Sequence, residues 1–392
     1  MRSLTSRTSI AAVVMLFWFN GLVIGAYAAA LPTLKARFDL QPLTLTILFL
    51  VVGACAIVSM QVCGRLSDRL GARRVALVMI VPLVVAMVGF ALAPSYAVLL
   101  GAGVAMGLGN GGIDVTMNAV AVQVEKGRPR PLMSFFHGTW SVGNLISAGA
   151  VVLLARLTGW DGPQTIFVVG LAVAAVGVVV LIVAWRIVPE TDVVSHTSAT
   201  GEKTRIPPAA YLLGLMAIAF GMGEGTASDW SGIHLTQVAN VDPTVGSAAV
   251  TVMAAGMAAI RLVGDFLVAR FGRRAVVRFG GACAAIGYII GATMSSLPVL
   301  LIGWGLVGLG MGLIAPQVYA VAGHTAGGRG LAVVVTFGYA AFLITPAVIG
   351  ALMAAIGIQH TMALPAILLL GLLALARVLP PKDEDSLQPD LR

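Results

Sequence analysis

Val98-Leu99-Leu100, followed by Gly107-Leu108-Gly109-Asn110-Gly111, returns 201 residues later as Val299-Leu300-Leu301 followed by Gly308-Leu309-Gly310-Met311-Gly312. A chemically unrelated landmark shares that offset. Arg69-Leu70-Gly71-Ala72-Arg73-Arg74 recurs as Arg270-Phe271-Gly272-Arg273-Arg274, with Gly272 again 201 residues beyond Gly71. One offset common to an apolar glycine run and a basic turn marks a duplicated half of about 200 residues.

The 392 residues are 59% hydrophobic and 10% charged. Ordinary soluble domains carry roughly 25% charged residues, so most of this surface is built to meet lipid. Runs of about 20 apolar residues, enough to cross roughly 30 Å of hydrocarbon, begin near Ser9, Leu43, Val75, Ala97, Leu132 and Ile166 in the first half. In the second half they begin near Ala209, Pro243, Ala275, Pro298, Leu331 and Thr361. The expected fold is an all-α membrane protein of twelve transmembrane helices in two pseudo-symmetric six-helix bundles. Residues 1–188 form the first bundle, 189–208 a polar cytoplasmic linker with proline at both ends, and 209–392 the second bundle with a short tail.

The net charge of +8 follows from topology. Of 24 Lys and Arg, only Lys35, Arg37 and Arg156 fall in loops of one parity. The other 21, among them Arg65, Arg69, Lys126, Lys203, Arg261, Arg270 and Lys382, gather on the opposite side. The positive-inside rule then places both termini in the cytoplasm of a cell whose cytoplasmic membrane holds the chain. Nucleic acid is not an expected partner. The apolar run after MRSLTSR is longer than a signal-peptide h-region and is read as a retained first helix. Cys55, Cys63 and Cys283 form no CxxC pair, so no disulfide framework, metal site or cofactor is expected.

No GxxxxGK[ST] segment occurs, and every outer loop is short, which argues against an ATPase and against a soluble catalytic domain. Two six-span repeats without an ATPase fit a secondary transporter whose substrate site lies near the midplane at the repeat interface. An intramembrane aspartyl protease needs GxGD within a span; here Leu262 stands two residues before Gly264-Asp265. A channel is disfavoured by the lack of a filter-like loop or a ring of like charges.

Gly64-Arg65-Leu66-Ser67-Asp68-Arg69-Leu70-Gly71-Ala72-Arg73-Arg74, between the second and third spans, resembles the GxLaDRxGRR signature of the major facilitator superfamily. Ala72 replaces one usual basic residue, and in the second copy Ala269 stands at the Asp68 position. The resemblance implies a cytoplasmic charge-relay latch in which Gly64, Asp68, Arg69, Gly71 and Arg73 take part. Arg261 and Asp265, four residues apart on one helix face, are the candidate substitutes for the missing acid of the second copy. The fourth span, Gly107 to Asn118, is similar to that of the fucose permease branch and its bacterial relatives. That likeness implies sugar and proton binding at Asp114. The fifth span lacks the GPxxGG of many drug–proton antiporters.

Ionisable residues at membrane depth are functional candidates because burying their charge is costly. Asp114 and Glu224 are the two deep acids and the expected proton-coupling pair. Asn110, Asp114 and Asn118 fall at i, i+4 and i+8, a single polar stripe on the fourth span. His137, Trp140, Ser141 and Asn144 form a second stripe on the fifth. With Trp230, Gln317 and Tyr339 these give the substrate-binding set Asn110, Asn118, His137, Trp140, Asn144, Trp230, Gln317 and Tyr339. Interhelical hydrogen bonding is the structural alternative for the asparagines, and an interfacial belt for Trp230. Asp229 is expected to reach the outer interface, and Glu125 to be structural.

The reading is a monomeric, proton-coupled transporter of a small polar solute such as a sugar or sugar-like metabolite, with protons, solute and lipid as partners. The alternative is a proton-driven exporter of drugs or metabolites. No enzymatic activity is expected.

Overall fold

The structure, a computed structural model, describes residues 7–125, 132–189 and 208–381, apart from the side chains of residue 134 and of residues 323–332. Most of the linker at 189–208 lies outside the described residues, as do Lys126, Lys203 and Lys382.

The first unit contains six long helices: α1 (Arg7–Arg37), α2 (Pro42–Leu70), α3 (Ala72–Leu92), α4 (Tyr96–Glu125), α5 (Met133–Thr158) and α6 (Gly162–Ile187). The chain then continues through α7 (Pro208–Val238), the short α8 (Pro243–Gly246), α9 (Ala248–Phe271) and α10 (Arg273–Thr293). It ends with α11 (Leu297–Thr361) and α12 (Ala363–Leu375), which runs into a 3₁₀ turn at Ala376–Val378. At 1.5 Å per residue the 65 residues of α11 exceed a bilayer about threefold, and the apolar windows within it divide into two spans, Leu297–Ala322 and Val333–Thr361. Among the described residues eleven helical segments are long and apolar enough to cross a membrane, with Ala363–Val378 a shorter apolar twelfth. Each observed span starts within four residues of its expected position. Contacts divide the chain into two compact units: Met1–Gly201 with Asp242–Thr251, and Glu202–Val241 with Val252–Arg392. The segment carrying α8 thus groups with the first unit, where the buried Ser247 donates its hydroxyl to the carbonyl of Ala29 at 2.6 Å.

The duplication extends to backbone conformation. Asp39 (φ 45°) and Asn240 (φ 51°), 201 residues apart, are the two non-glycine residues with positive φ among those described. Each ends the first helix of its half, and a proline at the start of the next helix follows three residues later, at Pro42 and Pro243. Proline fits there because the first turn has no intrahelical use for its missing N–H. Gly71 (φ 83°) and Gly272 (φ 80°) obey the same offset and are the whole connection between second and third spans. Their left-handed backbone is the reason for glycine. The expected loop from Gly64 to Arg74 is therefore helical on both sides of Gly71: two turns of α2, then the first turn of α3.

The glycine runs work by close approach. A Cβ on Gly107 would stand 2.3 Å from the carbonyl oxygen of Val52, and one on Gly308 would stand 2.0 Å from that of Met253, residues again 201 apart. Gly111 likewise meets the Ala56 oxygen at 2.1 Å and Gly310 the Gly280 oxygen at 2.2 Å. Lipid supplies no hydrophobic force between helices, so such backbone contact is what packs them.

Candidate functional site

In the first unit the polar residues of α1, α4 and α5 meet at Asn20, which is 2% exposed. Its Nδ2 donates to Asn110 Oδ1 at 2.9 Å, and its Oδ1 accepts the indole N–H of Trp140 at 2.7 Å. Glycine makes this possible, because a Cβ on Gly21 would lie 2.0 Å from the Trp140 carbonyl and one on Gly143 would lie 2.2 Å from that of Trp18. Asn110 and Trp140, expected on two separate stripes, thus belong to a single three-helix node. Two turns along α4 from Asn110, Asn118 Nδ2 donates to the carbonyl of Asp114 at 2.7 Å and stands 3.3 Å from its Oδ1. Asp114 and Asn118 are half-buried.

On α5, Ser141 donates to the His137 carbonyl at 3.2 Å, and the His137 ring meets Phe17 edge-on with centroids 5.1 Å apart. Asn144 is 6% exposed, and its Oδ1 has no hydrogen-bond partner among the described residues. A buried amide carbonyl left unsatisfied is costly and offers an acceptor to a hydroxyl. Glu125 is structural as expected: its carboxylate accepts the backbone N–H groups of Leu132 and Met133 at the start of α5.

In the second unit, Glu224 is half-buried on α7 within Gly221-Met222-Gly223-Glu224-Gly225. Arg261 of α9 interacts with it electrostatically, and Tyr288 of α10 and Tyr319 of α11 also lie in its field. Arg261 and Asp265, the pair expected along one helix face, both lie on α9, Arg261 half-buried ten residues before its end and Asp265 exposed. Tyr339 neighbours Tyr319 and is 39% exposed. Asp229 is half-buried and nine residues short of the end of α7.

Two further expected substrate contacts, Gln317 and Trp230, lie in the second unit. Gln317 Oε1 accepts a hydrogen bond from Arg273 Nη1 at 2.9 Å, near the end of its span. Trp230 is fully buried within the second unit, at 0% exposure, which does not fit an interfacial belt. Of the latch residues, Gly64 and Asp68 are half-buried and Arg69 is exposed. Arg73 donates to the carbonyl of Trp185 at 2.6 Å and so holds the C-terminal end of α6. Its repeat mate Arg274 does the same for the chain after α12, donating to the carbonyls of Leu379 at 2.8 Å and Arg377 at 2.9 Å.

The sequence reading missed Asn20 and His234. Asn20 is a lone amide in an otherwise apolar first span, which was the available signal. His234 is fully buried, and its ring is held by Gly291 and Trp304.

Residues 13–232 and 213–391 each match the Major Facilitator Superfamily profile. The chain is 32% identical over 341 residues to the uncharacterised transporter y4wD of Sinorhizobium fredii, covering 86% of this chain and 89% of that one. Its fold is similar to that of the nucleoside transporter NupG, with a TM-score of 0.71 at 10% identity, covering 94% of this chain and 98% of that one. The E. coli fucose:proton symporter FucP gives 0.64 at 15% identity, with 96% and 99% covered. At such identities the structural likeness speaks for fold alone. The profile over both halves, joined to the relative and to the repeated helical architecture, shows that this chain is a membrane transporter of the Major Facilitator Superfamily.

Proposed function

We propose that the protein is a proton-coupled secondary active transporter that moves a small polar solute, a sugar or sugar-like metabolite, across the cytoplasmic membrane by alternating access. In this reading it works as a monomer with both termini in the cytoplasm. The observation that carries the reading is that Asp114 and Glu224 each stand half-buried within a membrane-spanning helix. An acid at membrane depth is costly to keep and marks proton relays, so such a group is suited to loading and releasing a proton. Glu224 adds a link to conformation: protonating it removes the charge that Arg261 faces, and a charge left without its partner favours a different arrangement of the bundle.

Solute recognition falls to the polar side chains of the two units. Asn110, Asn118, His137, Trp140 and Asn144 belong to the first, and Trp230, Gln317 and Tyr339 to the second. The unsatisfied Asn144 carbonyl suits a hydroxyl donor. Two structural neighbours, a fucose:proton symporter and a nucleoside transporter, are named for polar solutes of this class. Gly64, Asp68, Arg69, Gly71 and Arg73, with Arg261 and Asp265, are proposed to govern the conformational exchange.

The test is uptake into proteoliposomes under an imposed pH difference. Asp114→Asn and Glu224→Gln are each expected to abolish accumulation, while one of them retains solute counterflow, which needs no net proton movement. A double variant that still accumulates solute against its gradient would refute the coupling assignment. Comparing right-side-out with inverted vesicles gives the direction of transport.

A further inference from the structure

The turn of α7 that carries Glu224 is poorly held by its own sequence, since Gly221, Gly223 and Gly225 surround the acid. Glycine is a weak helix former and offers no side chain to neighbouring helices. What holds this turn comes from outside α7. The Tyr288 hydroxyl, 1% exposed on α10, donates to the carbonyl oxygen of Gly223 at 2.5 Å. Gly223 is the residue before Glu224 on α7, so the hydroxyl stands at the turn that carries the acid.

Tyr288 is fixed in turn. Its ring packs edge-on against Trp304 with centroids 5.6 Å apart, and Trp304 packs edge-on against His234 at 5.4 Å. The indole N–H of Trp304 donates to His234 Nδ1 at 3.4 Å, and His234 Nε2 stands 3.0 Å from the carbonyl of Gly291. A carbonyl only accepts, so Nε2 carries the proton and Nδ1 is the acceptor: both ring nitrogens are used in the neutral imidazole. A saturated chain of side chains therefore runs from Gly291 through His234, Trp304 and Tyr288 to the residue before Glu224.

We propose that Tyr288 is the positioning residue for the Glu224 carboxyl, braced by Trp304 and His234 so that the glycine-rich turn presents the acid in one place. The inference rests on the reading of Glu224 as a proton carrier. Among the described residues, the ionisable groups in the field of Glu224 are Arg261 from α9, Tyr288 from α10 and Tyr319 from α11, with Tyr339 beside Tyr319. Asp229 shares α7 with it. Because that field falls off with distance, moving the carboxyl changes the pH at which it titrates.

The experiment is an infrared pH titration of the full-length protein in proteoliposomes, following the carbonyl stretch of protonated carboxyl groups. Glu224→Gln should remove one titrating band, which identifies Glu224. Tyr288→Phe keeps the ring and loses the hydroxyl, and is expected to displace the midpoint of that band by about 0.5 pH unit or more. Trp304→Phe, which keeps an aromatic ring but loses the N–H to His234, should displace it in the same direction by less, and it decides the matter if Tyr288→Phe does not fold. A purely structural role would lower the melting temperature and leave the midpoint in place. If the band is present and its midpoint is unchanged in the folded variants, the positioning role is wrong while the proton reading stands. If Glu224→Gln removes no band, the proton reading fails and takes this proposal with it.

Discussion

Trp140 on α5 donates its indole N–H to the side-chain carbonyl of Asn20 on α1, 120 residues earlier, at 2.7 Å. Asn20 passes the contact on to Asn110 of α4, so one buried amide ties three helices of the first unit. Asn20→Ala is expected to strip both neighbours of a partner and to destabilise the protein by about 1–3 kcal/mol, the cost of leaving buried polar groups unsatisfied. Thermal unfolding in detergent measures this. A melting temperature equal to that of the wild type would show that the node is not load-sharing.

Glycine positions separate sharply by what surrounds them. Gly111→Ala places a methyl 2.1 Å from the Ala56 carbonyl, which neither helix backbone can yield without parting, whereas Gly101→Ala meets nothing within 4 Å. The first substitution should lower both stability and transport. The second should be neutral or stabilising by up to about 1 kcal/mol, because alanine favours the helix. Melting curves of the two single variants, side by side, check the contrast.

Arg274 holds the end of the chain after α12 through the carbonyls of Leu379 and Arg377. Arg274→Gln should cost about 1.5 kcal/mol, the low end for hydrogen bonds to charged groups, because the site is partly exposed. Amide hydrogen exchange should rise locally around residues 376–381. Arg73→Gln should do the same at the end of α6, where Arg73 holds the Trp185 carbonyl. Unaltered exchange at both helix ends would remove these arginines from a clamping role.

The proposed orientation predicts opposite labelling of two exposed positions. Trp160, 38% exposed after α5, should react in intact cells as Trp160→Cys with an impermeant thiol reagent. Arg74→Cys, in the exposed first turn of α3, should react only after permeabilisation. The reverse pattern would invert the topology.

The spans and the duplication were legible in the local sequence. Apolar run length, glycine and proline placement and charge sidedness are local properties, so the 201-residue offset read from Gly71 and Gly272 reappears as matched backbone angles. The partners of the polar side chains were decided only by the tertiary structure. Asn110 and Trp140 each promised a polar surface, yet what they touch is Asn20, 90 and 120 residues away. Arg261 lies four residues from Asp265 on its own helix, and the fold also sets it in the field of Glu224 on another helix. Arg73 read as one of several basic residues near a turn, and its guanidinium holds a carbonyl 112 residues further on. Spacing along one helix places side chains on a common face, but a hydrogen bond acts only over about 3 Å. Which face of which helix comes that close is a property of packing.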